Sequence, residues 1–173
     1  MYKENDTVMY SAHGICKIAE IVEKDMGSSS MEYYVLKPIK NDGATIFVPV
    51  ENKDLTAKMR RVMTKEEIWA LLDEMPDKDT IWMDDEFVRR VHYRDIISSG
   101  DRGELMSLVK TLYLHKQSQK AMGKRMKSAD EDILKDAEKM IHDEFSYVLD
   151  IRRDEVLPII LERVNKSAQQ AGA

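Results

Sequence analysis

His13 and Cys16 stand three residues apart, and a thiol near an imidazole is a minimal arrangement for nucleophilic catalysis. Such a cysteine also needs an accessible, electropositive setting that lowers its pKa. Here Cys16 falls inside a strand-like run, residues 15–22, where a free cysteine is ordinarily a small buried hydrophobe. The inert reading is preferred. The remaining histidines, His92, His115 and His142, lie on separate elements without His-x-His or His-x3-His spacing, so no metal site is expected. Asp84-Asp85-Glu86 and Asp130-Glu131-Asp132 are acidic clusters. Each opens a helical pattern, where negative charge complements the helix dipole. There is no glycine-rich loop to cradle a phosphate. The chain is read as a binding protein, not an enzyme, with no cofactor and no small-molecule substrate.

Two features are placed for binding, the strand at Thr45–Pro49 and the stretch Lys110–Lys127. Thr45, Ile46, Phe47, Val48 and Pro49 form a short β-prone run. Proline cannot donate to a ladder, so Pro49 marks an edge strand or a strand end. An uncovered edge can take a partner's strand by β-augmentation, whereas barrel contacts or the helical half would close it. The sequence leaves both open. Between residues 110 and 127, Lys110, His115, Lys116, Lys120, Lys124, Arg125 and Lys127 occur without any Asp or Glu. Lys116, Lys120 and Lys124 recur every four residues, a positive ridge if the helix runs on through Gly123, suited to phosphates without reading base sequence. The competing reading is a solvated helix end. Trp82, just ahead of the first acidic cluster, is either a packing residue or a stacking wedge. The twelve methionines are read as core filler, with Met59, Met75, Met106 and Met140 in helix–helix gaps.

The elements that must position these residues follow from composition and pattern. The chain has 173 residues, 43% hydrophobic and 34% charged, with net charge −5, so it folds without being generally basic. A single cysteine excludes a disulfide framework. No leader is evident and no apolar run approaches the roughly 18 residues of a membrane span, so a cytoplasmic location is expected. Residues 6–10, 15–22, 33–37 and 45–49 are rich in β-branched and aromatic side chains, separated by turn residues at His13-Gly14, Met26 to Ser30 and Asn41 to Gly43. In 15–22, alternation puts Ile15, Lys17, Ala19 and Ile21 on one face and Cys16, Ile18, Glu20 and Val22 on the other. From residue 64 the period becomes helical. Thr64-Lys-Glu-Glu67 has capping-box form, and Pro76 stops its helix. Further helices are expected over residues 84–99 closed by Gly100, from Asp101, from Ser128, and from about Arg153 to Asn165 with Pro158 near the first turn. The fold class is therefore α+β, a small SH3/Tudor-like β-barrel followed by an all-α helical bundle. The barrel spans 1–62, a linker and first helix 63–79, the bundle 80–167, and a frayed tail 168–173.

In order along the chain, Asp6-Thr-Val-Met-Tyr-Ser-Ala-His-Gly-Ile-Cys16, Glu32-Tyr-Tyr-Val-Leu36 and Thr45-Ile-Phe-Val-Pro-Val-Glu-Asn52 resemble the amino-terminal module of the CarD/CdnL family of bacterial transcription regulators. That module is itself similar to the polymerase-interaction domain of transcription-repair coupling factor. Ser99-Gly-Asp101, Leu108 to Leu114 and Asp143-Glu-Phe145 extend the resemblance to roughly residues 2–164. It implies docking on the RNA polymerase β subunit through Thr45, Ile46, Phe47, Val48 and Pro49. It also implies a helical domain that touches promoter DNA non-specifically in the minor groove and holds the open complex with a tryptophan wedge. Trp82 is the shifted equivalent of that wedge, whose place counted back from Ser99 falls near Glu86–Phe87, and Arg89 and Arg90 are similar to the basic pair that follows it. With Lys110, Lys116, Lys120, Lys124 and Arg125 these make up the expected DNA-binding set. Relatives carry basic residues where Asp130-Glu-Asp132 stands, and some have arginine at the place of Phe47. The alternative is a polymerase-bound adaptor whose helical half meets another protein and no DNA.

Overall fold

A computed structural model of the chain describes residues 1–10, 13–25, 27, 30–40 and 43–171. The expected turn residues Met26, Ser28, Ser29, Asn41 and Asp42 lie outside the described residues, as do Ser11, Ala12, Gly172 and Ala173. Two compact units result, residues 1–62 and 63–173.

The first unit is an antiparallel sheet of β1 (Thr7–Tyr10), β2 (Ile15–Asp25), β3 (Ser30–Pro38), β4 (Ile46–Pro49) and β5 (Met59–Arg61), with a one-turn helix α1 (Lys53–Thr56) between the last two. The strand order is β4-β3-β2-β1-β5. The sheet is not closed: β4 and β5 are its two edges, where the sequence predicts a barrel. One face packs Val8, Tyr10, Cys16, Ile18, Tyr34, Leu36, Val48 and Met59 into a core. Met59 thus fills the sheet, not a helix–helix gap. A bulge between Ile18 and Glu20 shifts the β2 register. The extra residue reverses the phase of alternation, so Ile21 joins the core of Cys16 and Ile18 while Glu20 turns to the outer face.

The second unit comprises α2 (Lys65–Glu74), a 3-10 turn (Met75–Asp77), α3 (Glu86–Ser99), α4 (Arg102–Ala121), α5 (Ser128–Leu149) and α6 (Arg153–Ala171). Thr64 and Glu67 form the expected capping box, and Asp85 and Asp101 accept the Val88 and Glu104 amides at the starts of α3 and α4. The start of α5 departs from expectation. Lys127 occupies the cap position without a side-chain bond to the α5 amides, and Asp130 turns inward to a guanidinium. Proline 158 also departs: it sits inside α6, which continues to Ala171, beyond the expected end near Asn165. Leu72, Tyr93, Leu105, Met106, Leu108, Leu112, Ile133, Phe145 and Val156 form the centre of the bundle core.

Candidate functional site

The thiol–imidazole pair resolves first. Cys16 is fully buried in the sheet core, and burial pushes its thiol up to about 11. His13 stacks on Tyr10, with ring centroids 5.6 Å apart. That environment opposes thiolate formation.

The β4 edge has the geometry that strand addition requires. The Val50 amide donates to the Glu32 carbonyl at 2.9 Å. Alternation along the ladder then turns the main-chain groups of Val48 and Ile46 toward β3 and those of Phe47 outward. Pro49 sits where no outward amide is needed, and its carbonyl accepts from the Asn52 amide at 3.2 Å. Thr45 precedes the strand and is exposed, Ile46 and Val48 face the core, and the Phe47 ring is 44% exposed. Lys24 places its ammonium 3.5 Å from the centre of that ring, and Tyr33 meets the same ring edge-on at 6.4 Å. The other edge is dressed differently: the Tyr2 hydroxyl donates to the Met59 carbonyl of β5 at 2.8 Å.

In the helical unit the expected cations divide into two groups. Arg89 is 2% exposed. Its Nε and Nη2 donate to the two carboxylate oxygens of Asp130 at 3.1 and 2.9 Å, and its Nη1 donates to the Met83 carbonyl at 2.7 Å. Those bonds to Asp130 raise the guanidinium pKa against the opposing effect of burial. Lys110 is equally engaged, its Nζ donating to the carbonyls of Met75, Pro76 and Lys78 at 3.1, 2.8 and 2.6 Å. Trp82 packs between His115 and Arg89: its ring stacks on the imidazole at 3.9 Å and carries the guanidinium at 4.2 Å, while Nε1 donates to Asp84. The extended segment bearing Trp82 is anchored further, since the Ile81 amide donates to Thr111 Oγ1 and Tyr93 donates to the Ile81 carbonyl, both at 2.9 Å. Trp82 is a half-buried pillar.

Arg90, Lys116, Lys120, Lys124 and Arg125 are exposed. They do not form one helical ridge, because α4 ends at Ala121. Gly123 takes a left-handed conformation at φ 69°, its amide bonds the Lys120 carbonyl, and the Lys124 amide bonds the Gln119 carbonyl, a Schellman end. The chain then turns, and an ion pair from Lys127 to Glu86 brings the 122–127 loop beside the start of α3. There lies the place near Glu86–Phe87 that counting back from Ser99 gives for the wedge, for which Trp82 is the expected shifted equivalent. Phe87 is 67% exposed, with Val88 and Val91 also uncovered and Arg90 one turn on. Its position one residue into the helix, opposite to the core stripe of Arg89, Tyr93 and Ile96, is the signal that could have singled it out.

Residues 2–63 match the family model described as the CarD-like/TRCF RID domain. The amino-terminal unit is a CarD-like domain. A CarD-like domain marks the chain as a transcription-related, RNA polymerase-interacting protein. The match ends at the first residue of the helical unit. No curated protein matches the chain. The open β4 edge, with Phe47 and Lys24 beside it, therefore belongs to the CarD-like domain, whereas the Phe87 surface lies beyond it. Among the described residues no helix is long and apolar enough to cross a membrane.

Proposed function

We propose that the protein is a non-enzymatic transcription regulator that docks on the β subunit of RNA polymerase by adding a partner strand to β4. The observation that carries this reading is the outward Phe47 main chain on the edge of a CarD-like domain. Main-chain bonds supply affinity, and Phe47, Tyr33 and Lys24 supply choice, favouring an extended segment with an acidic or aromatic side chain opposite Phe47. The test is capture of purified core polymerase by the full chain. Phe47→Pro removes the outward amide while leaving the ladder to β3 intact, and should weaken capture about tenfold or more. Unchanged capture would refute edge docking.

The helical unit then contacts promoter DNA and tunes the open complex. Phe87 acts as the apolar wedge, with Arg90 and the cations of the 122–127 loop on the flanking phosphates. Phe87 is preferred over Trp82 because a wedge must leave its own fold, and Trp82 is held on both ring faces. Covalent linkage to a docked domain raises the effective concentration, so a modest patch of cations suffices. The same apolar patch of Phe87, Val88 and Val91 also fits an adaptor that meets a protein instead. Salt-dependent binding of the polymerase-bound protein to promoter DNA, weakened by Phe87→Ala and by Lys124→Glu, supports the DNA reading. Salt-independent behaviour supports the adaptor.

A further inference from the structure

The helical unit holds a cavity of about 230 Å3 between α4, α5, α6 and the 3-10 turn. Its wall is apolar, formed by Met106, Val109, Ile141, Ile160 and Val164. Leu114, Leu157 and Leu161 stand at its lining while 48%, 37% and 38% exposed, so the cavity opens to solvent between α4 and α6. At close-packed density that volume accommodates about ten non-hydrogen atoms.

Five polar side chains reach this wall, one of them the half-buried Tyr113 with its hydroxyl. Lys110 has its ammonium turned away onto three carbonyls, and Asn165 is exposed. Glu138 and His142 lie one turn apart on α5, both half-buried, and neither makes a hydrogen bond or ion pair with another described residue. Burial raises the Glu138 pKa, partly offset by the Lys116 charge. Burial and the Arg153 charge lower that of His142, against Asp143. The wall thus carries a carboxyl group and an imidazole one turn apart, neither bonded to a donor among the described residues. Half-burying the Glu138 carboxyl against apolar surface disfavours its charged form. A donor cation would relieve that cost.

We infer that this cavity binds a small amphipathic cation, a primary ammonium on an apolar body of about ten non-hydrogen atoms, with the head between Glu138 and His142 and the body against Met106, Val109, Ile141 and Ile160. The nearby cation Lys116 is exposed and acts on Glu138 through its charge only, without a hydrogen bond to it. The site is independent of the β4 edge and of the Phe87 surface. It is not part of the polymerase or DNA reading.

The test is calorimetric titration of the full chain with n-octylammonium, n-octanol and n-octanoate. Octylammonium should bind with a Kd of about 1 mM or tighter, and octanoate at least about tenfold more weakly. Glu138→Gln should reduce octylammonium affinity about tenfold and leave octanol binding unchanged. Leu161→Trp, at the half-exposed mouth, should abolish binding of all three without unfolding the chain. No octylammonium binding, equal affinity for the three head groups, or an unaffected Glu138→Gln variant would each overturn the proposal. So would sedimentation showing a dimer that Leu161→Trp disrupts and octylammonium does not, which would assign the cavity to a second copy.

Discussion

The β4 edge and the start of α3 are both uncovered surfaces with an exposed phenylalanine, yet they offer opposite chemistry. At β4 the functional groups are main-chain: the Phe47 N–H and C=O point outward because the ladder to β3 uses every second residue. At α3 the helix consumes its own main-chain bonds, and the surface is side-chain only, Phe87 with Arg90 and the loop fixed by Lys127 and Glu86. A strand edge tolerates side-chain change and fails when its amide is lost. A helix face does the reverse. Beneath the second surface lies a buried ionic core of Arg89, Asp130 and Trp82, for which the first has no counterpart among the described residues.

The largest effect should come from that core. Arg89→Ala leaves Asp130 buried without its partner and should cost about 3–5 kcal/mol of stability, measured by denaturant unfolding. A loss under about 1 kcal/mol would show that the pair is solvated and the two surfaces are supported alike. Trp82→Ala should destabilise by about 2–4 kcal/mol, whereas Phe87→Ala should stay within about 0.5 kcal/mol and act only on partner binding. Equal destabilisation by both would end the distinction between pillar and wedge. At β4, Phe47→Ala should retain most of the polymerase capture that Phe47→Pro loses, since the amide remains.

The smallest effect is on pH. Burial lowers the pKa of His115, against Asp130 and assisted by Arg89, and burial likewise lowers that of His142. The unfolded chain then binds more protons than the folded one just below the ordinary value of 6.5. The stability they contribute is complete above 6.5 and declines as pH falls from there toward the depressed folded values. Melting curves of wild type and His115→Gln should diverge in that window and run parallel above it. Parallel curves throughout would show that the Trp82 stack does not feel the imidazole charge.

Local rules made the elements legible. The Thr64–Glu67 box, the Asp101 start and Gly100 all act within four residues of where they are read, so the sequence alone determined where α2 and α4 begin and that α3 ends at Ser99, while α3 starts at Glu86, two residues after the expected Asp84. Pro49 equally marked a strand unable to donate on one side. What escaped were decisions made at long range. The bulge near Ala19 reverses a face assignment that simple alternation assigns wrongly, because β3 sets the register. Asp130 reads as a helix-start charge until Arg89, 41 residues away, takes it inward. Arg89 and Lys110 look like surface cations until carbonyls and a carboxylate are brought to them. Charge and periodicity are properties of a stretch of chain, but whether a charged group meets water or a buried partner depends on which distant elements pack on it. That was decided only by the tertiary structure.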